Sequence, residues 1–163
     1  MIAAQAFHWF TPYPAAYMEC RRLLKPGGAL ALIWNERDPA VPWIKAFDEE
    51  VVTPLYPKDN AVAPRQQSRK WKDAFEHFLG NYYGNLHNTA YRGRHGVVQE
   101  GGWDMVVNRV LSLSVVGGLP KEEKDAVEAT VREWLGRHPD TKGKEEDLTL
   151  SYFTDVYYTR TIG

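Results

Sequence analysis

The pattern of apolar and polar positions changes period several times along the chain. Ala29 to Trp34 is an unbroken apolar run without alternation, the pattern of a strand covered on both faces in a parallel sheet. Basic residues from Arg21 to Lys25 and the turn Pro26-Gly27-Gly28 precede it, as suits a helix C-terminus followed by a chain reversal. The spacing predicts a helix over Ala15–Leu24, with Tyr17, Cys20, Leu23 and Leu24 on its apolar face, and a strand ending at Met1–Ala4. A helix over Trp43–Val52 follows, with Trp43, Phe47 and Val51 spaced by four and Pro54 and Pro57 closing it.

Residues 58–70 read as a polar loop. Trp71–Leu79 is a short helix or an irregular segment anchored by Trp71, Phe75 and Phe78, and Asn85–Gln99 has strand propensity broken by Gly93 and Gly96. Periodicity predicts a helix over Trp103–Leu113. Another opens at Pro120 with Glu122 and Glu123 in its first turn, presents Val127, Val131, Trp134 and Leu135, and stops at Gly136. After a charged turn at Lys142–Asp147, Leu148–Tyr158 alternates and then turns aromatic, as a closing strand would. The expected topology is a parallel pair from residues 1–6 and 29–34, with residues 148–158 antiparallel beside them.

Polar residues appear abruptly where the apolar run stops, at Asn35, Glu36, Arg37 and Asp38. In parallel α/β sheets ligands bind beyond the carboxyl ends of the strands, so this is where chemistry is expected. "AAQAFHWF" at residues 3–10, "LKPGG" from Leu24 and "WNERD" from Trp34, taken in order, resemble a class I S-adenosylmethionine-dependent methyltransferase. The likeness is to the small-molecule, methyltransferase type 11 group that includes trans-aconitate methyltransferases. Pro42-Trp43, Ser68–Phe75, "NRVLSLSVVGGLPKEEK" from Asn108 and "LSYFTDVYY" from Leu150 extend it over almost the whole chain.

That resemblance implies an α/β fold of Rossmann-like type, of which this chain holds strands four to seven with their helices. The Gly-rich loop and the ribose-binding carboxylate of the family's first strands have no counterpart in the sequence, so a partial site is expected: the C-terminal portion of one methyltransferase domain over residues 1–163. It implies S-adenosylmethionine as cofactor, met at Ala4, Gln5 and Ala6, where small residues let a ligand approach. His8 and Trp9 would stand at the reacting centre, with His8 a base, a carboxylate-binding donor, or a loop brace bonded to a carbonyl. Asn35 and Arg37 would bind the acceptor. Arg37 could hold a substrate carboxylate bidentately or pair internally with Glu36 or Asp38, while Phe7 and Phe10 would point into the core. The expected reaction is carboxyl or hydroxyl O-methylation of a small molecule. The alternative is a non-catalytic remnant or an interaction module completed by another chain.

Composition narrows the partners. The chain has 163 residues, a net charge of −1, and 44% hydrophobic and 25% charged residues, with no global attraction for nucleic acid or an anionic membrane. Arg65, Arg69, Lys70 and Lys72 around Trp71 read as a solvated surface rather than a nucleic-acid patch. A single cysteine, Cys20, excludes an internal disulfide, and His87, His95 and His138 lack metal-ligand spacing. A cytoplasmic protein is expected, with self-association through an open sheet edge as a further expectation.

Overall fold

The computed structural model describes residues 1–56, 69–92 and 96–162, and the side chain of Phe78 is not among the described groups. The chain divides into two compact units, which hold residues 1–36, 69–91 and 153–162 and residues 37–56, 92, 96–152 of this set.

The first unit contains β1 (Ile2–Ala4), α1 (Tyr13–Leu23), β2 (Ala29–Arg37, through Glu36), α3 (Lys70–Phe78), β3 (His87–Tyr91) and the second half of β5 (Thr149–Arg160). Its strands lie in the order β1-β2-β5-β3. β1 and β2 are parallel, with Ile2 opposite Ala31 and Ala4 opposite Ile33, and α1 makes the crossover between them. Thr161 N–H donates to the Gly28 carbonyl and Thr154 Oγ1 donates to Asn35 Oδ1, so β5 runs antiparallel to β2 as expected. Gly27, at φ 72°, makes the reversal into β2, a conformation that costs a side-chain-bearing residue but not glycine.

β2 is not covered equally on its two faces. Leu30, Leu32 and Trp34 are fully buried, whereas Ala29, Ala31 and Ile33 are only half-buried. The absence of alternation in sequence therefore reflects apolar composition rather than equal burial. Likewise α1 buries Tyr13 and Tyr17 and leaves Leu23 exposed, because the stripe continues through Leu24. An aromatic core fills the unit: Trp34 stacks on Trp71 at 4.7 Å, and Tyr157 stands edge-on to both. Tyr17 and Tyr83 close it, with Tyr17 Oη donating to the Trp71 carbonyl and Tyr83 Oη to the Tyr17 carbonyl.

The second unit contains α2 (Pro42–Phe47), β4 (Val97–Glu100), α4 (Gly102–Leu111), α5 (Ser114–Gly117), α6 (Lys121–Arg137) and the first residues of β5. α2 loosens into a π turn over Asp48–Val52 and then a 3₁₀ turn over Thr53–Leu55. Pro54 brings no N–H to a preceding carbonyl, so a regular helix cannot run through to it. Trp43, Ile44, Phe47, Val106, Val131 and Trp134 build the core here. α6 runs to Arg137, one residue past the stop expected at Gly136. That glycine is an approach point, since a Cβ there would lie 3.3 Å from the Trp103 ring. β4 pairs antiparallel with β5, Val97 opposite Tyr152 and Glu100 opposite Thr149. Along β5 the buried positions are Leu150 and Tyr152, then Phe153, Asp155, Tyr157 and Thr159, a change of parity where the strand passes from one unit to the other. Among the described residues, no helix is long and apolar enough to cross a membrane.

Candidate active site at the carboxyl ends of β1 and β2

Beyond β1 the chain enters a left-handed residue, Gln5 at φ 53°, and then a single 3₁₀ turn over Phe7–Trp9. Gln5 N–H still donates to the Ile33 carbonyl at 2.8 Å, and its side-chain Nε2 donates to the Asn35 carbonyl at 2.9 Å. The Gln5 amide is thereby folded onto β2, while Ala4 and Gln5 remain exposed and Ala6 half-exposed. Asn35 in turn accepts from Thr154 at Oδ1, at 2.8 Å, so the carboxyl ends of β1 and β2 are tied to the middle of β5.

The 3₁₀ turn separates successive side chains by about 120°. Phe7 and His8 turn inward and are buried; Trp9 turns outward and is 46% exposed. Phe10 is 48% exposed rather than in the core, because the turn ends at Trp9 and the chain leaves the sheet. His8 Nδ1 accepts the indole N–H of Trp34 at 3.1 Å, and the His8 carbonyl accepts the Tyr13 hydroxyl at 2.9 Å. The Trp9 ring lies tilted against His8, with centroids 5.1 Å apart. Gln5, His8, Trp9, Trp34 and Asn35 therefore share one end of the first unit. Trp34 and Thr154 are the members that sequence reasoning missed. Trp34 reads as core by composition, and only the parity of β2 with the 3₁₀ turn reveals that its N–H faces His8.

Arg37 belongs to the second unit. Its Nε donates to Asp48 Oδ1 at 2.5 Å, so the internal partner is Asp48 and not Glu36 or Asp38. Burial pushes the Asp48 carboxyl above the usual carboxylate range, and the guanidinium only partly offsets this. The neighbouring Tyr56 phenol is also pushed up by burial. Asp38 is buried, accepts the Ala40 N–H at 3.1 Å and pairs with Arg92.

The remaining candidates are engaged elsewhere. Trp71 is buried, and Arg69 is turned onto the Tyr157 hydroxyl and Asp155; Lys72 lies 3.6 Å from Glu76. Arg65 and His95 lie outside the described residues. His87 stacks on Tyr158 and His138 on Trp134, and among the described residues no group of His, Cys, Asp or Glu is arranged to hold a metal ion.

No protein-family model matches the chain. An uncharacterized methyltransferase-like protein of Schizosaccharomyces pombe is 37% identical over 158 residues, which is 96% of this chain and 56% of that protein. An uncharacterized methyltransferase of the same yeast is 31% identical over 156 residues, 93% of this chain and again 56% of the relative. Among solved structures, a protein assigned as a type II methyltransferase from Anaeromyxobacter dehalogenans superposes with a TM-score of 0.58 at 16% identity, covering 98% of this chain and 63% of that one. That likeness shows the mixed α/β fold. The chain spans about half the length of the curated relatives it matches, and over nearly all of its own length it is similar to proteins named as methyltransferases or methyltransferase-like.

Proposed function

We propose that this chain serves S-adenosylmethionine-dependent methyl transfer to an oxygen of a small molecule, a carboxylate or a hydroxyl. One observation carries the reading: Gln5, His8, Trp9 and Asn35 meet at the carboxyl ends of adjacent parallel strands, in a chain 37% identical to a methyltransferase-like protein. Ligands of such sheets bind at that end.

Small, open residues at the end of β1 fit one side of the cofactor. Ala4 is exposed, Ala6 half-exposed, and the left-handed Gln5 turns the backbone outward between them. Ala4, Gln5 and Ala6 would hold its methionine end. When bound, S-adenosylmethionine supplies a methyl group already activated on a sulfonium. Displacement at that carbon depends on alignment, so this chain's residues orient the acceptor rather than bond to it. His8 supplies a ring nitrogen, Trp9 an exposed aromatic wall and Asn35 an amide. The 2.5 Å pair with Asp48 supports a structural role for Arg37 over capture of a substrate carboxylate.

Label transfer tests the reading. With methyl-labelled S-adenosylmethionine and a panel of small acids and alcohols, label should enter an ester or ether; none in any acceptor, with the cofactor bound, would contradict it. A second reading, a module completed by another chain, is supported by β1: among the described residues it pairs with β2 alone and leaves Ile2 exposed. Sedimentation velocity addresses it, with association that grows with concentration and is abolished by Ile2→Pro, which removes an edge N–H facing away from β2, as the expected result.

A further inference from the structure

We infer that His8 is held as a hydrogen-bond donor at Nε2 and not as a general base, with Trp34 as its positioning residue, so that the acceptor reaches the site already ionised, as a carboxylate. The choice of acceptor rests on the methyl-transfer reading above; the state of His8 does not.

An indole N–H can donate and cannot accept. The 3.1 Å contact from Trp34 Nε1 therefore occupies the Nδ1 lone pair of His8. A neutral imidazole carries one proton, which this bond assigns to Nε2. To act as a base at Nε2, the ring would need its one proton on Nδ1 beforehand and would keep it there after Nε2 took the second. Both states set two N–H groups facing each other at 3.1 Å. Trp34 cannot turn aside: it is fully buried, stacked on Trp71 at 4.7 Å with 24° between the planes, and flanked edge-on by Tyr157. The Tyr13 hydroxyl holds the His8 backbone at 2.9 Å.

The consequence follows from the proton balance. A hydroxyl acceptor must lose its proton as the new carbon–oxygen bond forms, and a histidine already protonated at Nε2 cannot receive it. With a carboxylate, an oxygen lone pair forms the bond to the methyl carbon, the carbon–sulfur electron pair leaves with sulfur, and no proton moves. A donor at Nε2 suits that anion, to which it can hydrogen-bond.

The test has two arms. Long-range proton–nitrogen correlation spectra of the ¹⁵N-labelled chain read which His8 nitrogen bears the proton. Nε2 is expected in the wild type and in Trp71→Phe, which alters the stack but not the bond; in Trp34→Phe, with the fold checked by the amide spectrum, the Nδ1–H form should grow. A proton on Nδ1 in the wild type, or an unchanged preference in folded Trp34→Phe, would overturn the inference. The second arm compares methylation of a carboxylic acid by His8→Gln, which keeps a donor and no base, with His8→Phe. The glutamine variant should stay within about tenfold of wild type while the phenylalanine variant loses about a hundredfold, the scale of one preorganised hydrogen-bond donor; equal losses would overturn the donor role. If no acceptor is methylated at all, the methyl-transfer reading fails, and the tautomer measurement still judges the pairing of His8 with Trp34.

Discussion

Arg37 donates from Nε to Oδ1 of Asp48 across 2.5 Å, with 14% of the one side chain and 31% of the other exposed. A guanidinium already matched to a carboxylate of its own chain ties the π turn to the first residue of the second unit. Removing one partner leaves the other half-buried and unpaired. Arg37→Ala and Asp48→Asn should each destabilise by about 1–3 kcal/mol, and the double variant Arg37→Ala/Asp48→Asn by less than the sum. Chemical denaturation of the three variants measures this; strict additivity would dissolve the pair.

The same carboxyl gives a pH dependence with a definite sign. Burial raises the Asp48 pKa in the folded state above its unfolded value, so the folded chain binds that proton more tightly. Its contribution to stability is fully present below the unfolded carboxylate range and is lost as pH rises through the raised folded value. Against wild type, Asp48→Asn should show a less negative slope of stability with pH in that window, and an identical slope would exclude Asp48 as its source.

Tyr17 and Tyr83 predict alkaline behaviour. Burial is the largest cause pushing both phenols upward. Above about pH 10, the ordinary tyrosine value, the unfolded chain releases protons that the folded chain keeps, so stability falls as pH rises. In a spectrophotometric titration of the nine tyrosines, a late group should ionise together with loss of the near-ultraviolet dichroism. Tyr17→Phe should shrink that group; ionisation of every phenol before unfolding would contradict the burial argument.

Gly102 is the most demanding small residue of the second unit. At φ 64°, a Cβ would stand 1.9 Å from the Glu145 carbonyl oxygen, while its N–H donates to the Leu148 carbonyl at 3.1 Å. Gly102→Ala forces both backbone strain and a clash, and should cost about 3 kcal/mol or more. Gly118→Ala, with nothing within 4 Å, serves as the control. Thermal unfolding separates the two; equal midpoints would refute the steric reading.

Much of the fold was legible because local chemistry and tertiary demand agree. The Pro26-Gly27-Gly28 turn, the parallel pairing of β1 with β2 and the antiparallel β5 follow from patterns that each element states for itself. The misreadings lie where a pattern has two physical causes. A glycine near a helix end can stop the helix or admit a ring, and Gly136 admits Trp103. An apolar run can mean two covered faces or one face plus small residues, and β2 is the second. The cofactor candidates Ala4, Gln5 and Ala6 and the reacting-centre candidates His8 and Trp9 rest on motif likeness. The bond from Trp34 to His8 was not legible, because it depends on which face of β2 meets which residue of a 3₁₀ turn. The partner of Arg37 was hidden similarly, eleven residues away on a helical turn whose π geometry no periodicity announces.

The placement of the cofactor at the end of β1 is the claim on which the functional account stands. Titration of the ¹⁵N-labelled chain with S-adenosylhomocysteine, the stable thioether product, tests it residue by residue, even for a dissociation constant near 1 mM (about −4.1 kcal/mol). The account predicts that the largest shifts fall on the backbone amides of Ala4, Gln5 and Ala6, with the His8 and Asn35 amides responding next. Unmoved amides at residues 4–6 at millimolar ligand, or maximal shifts confined to other residues, would contradict it.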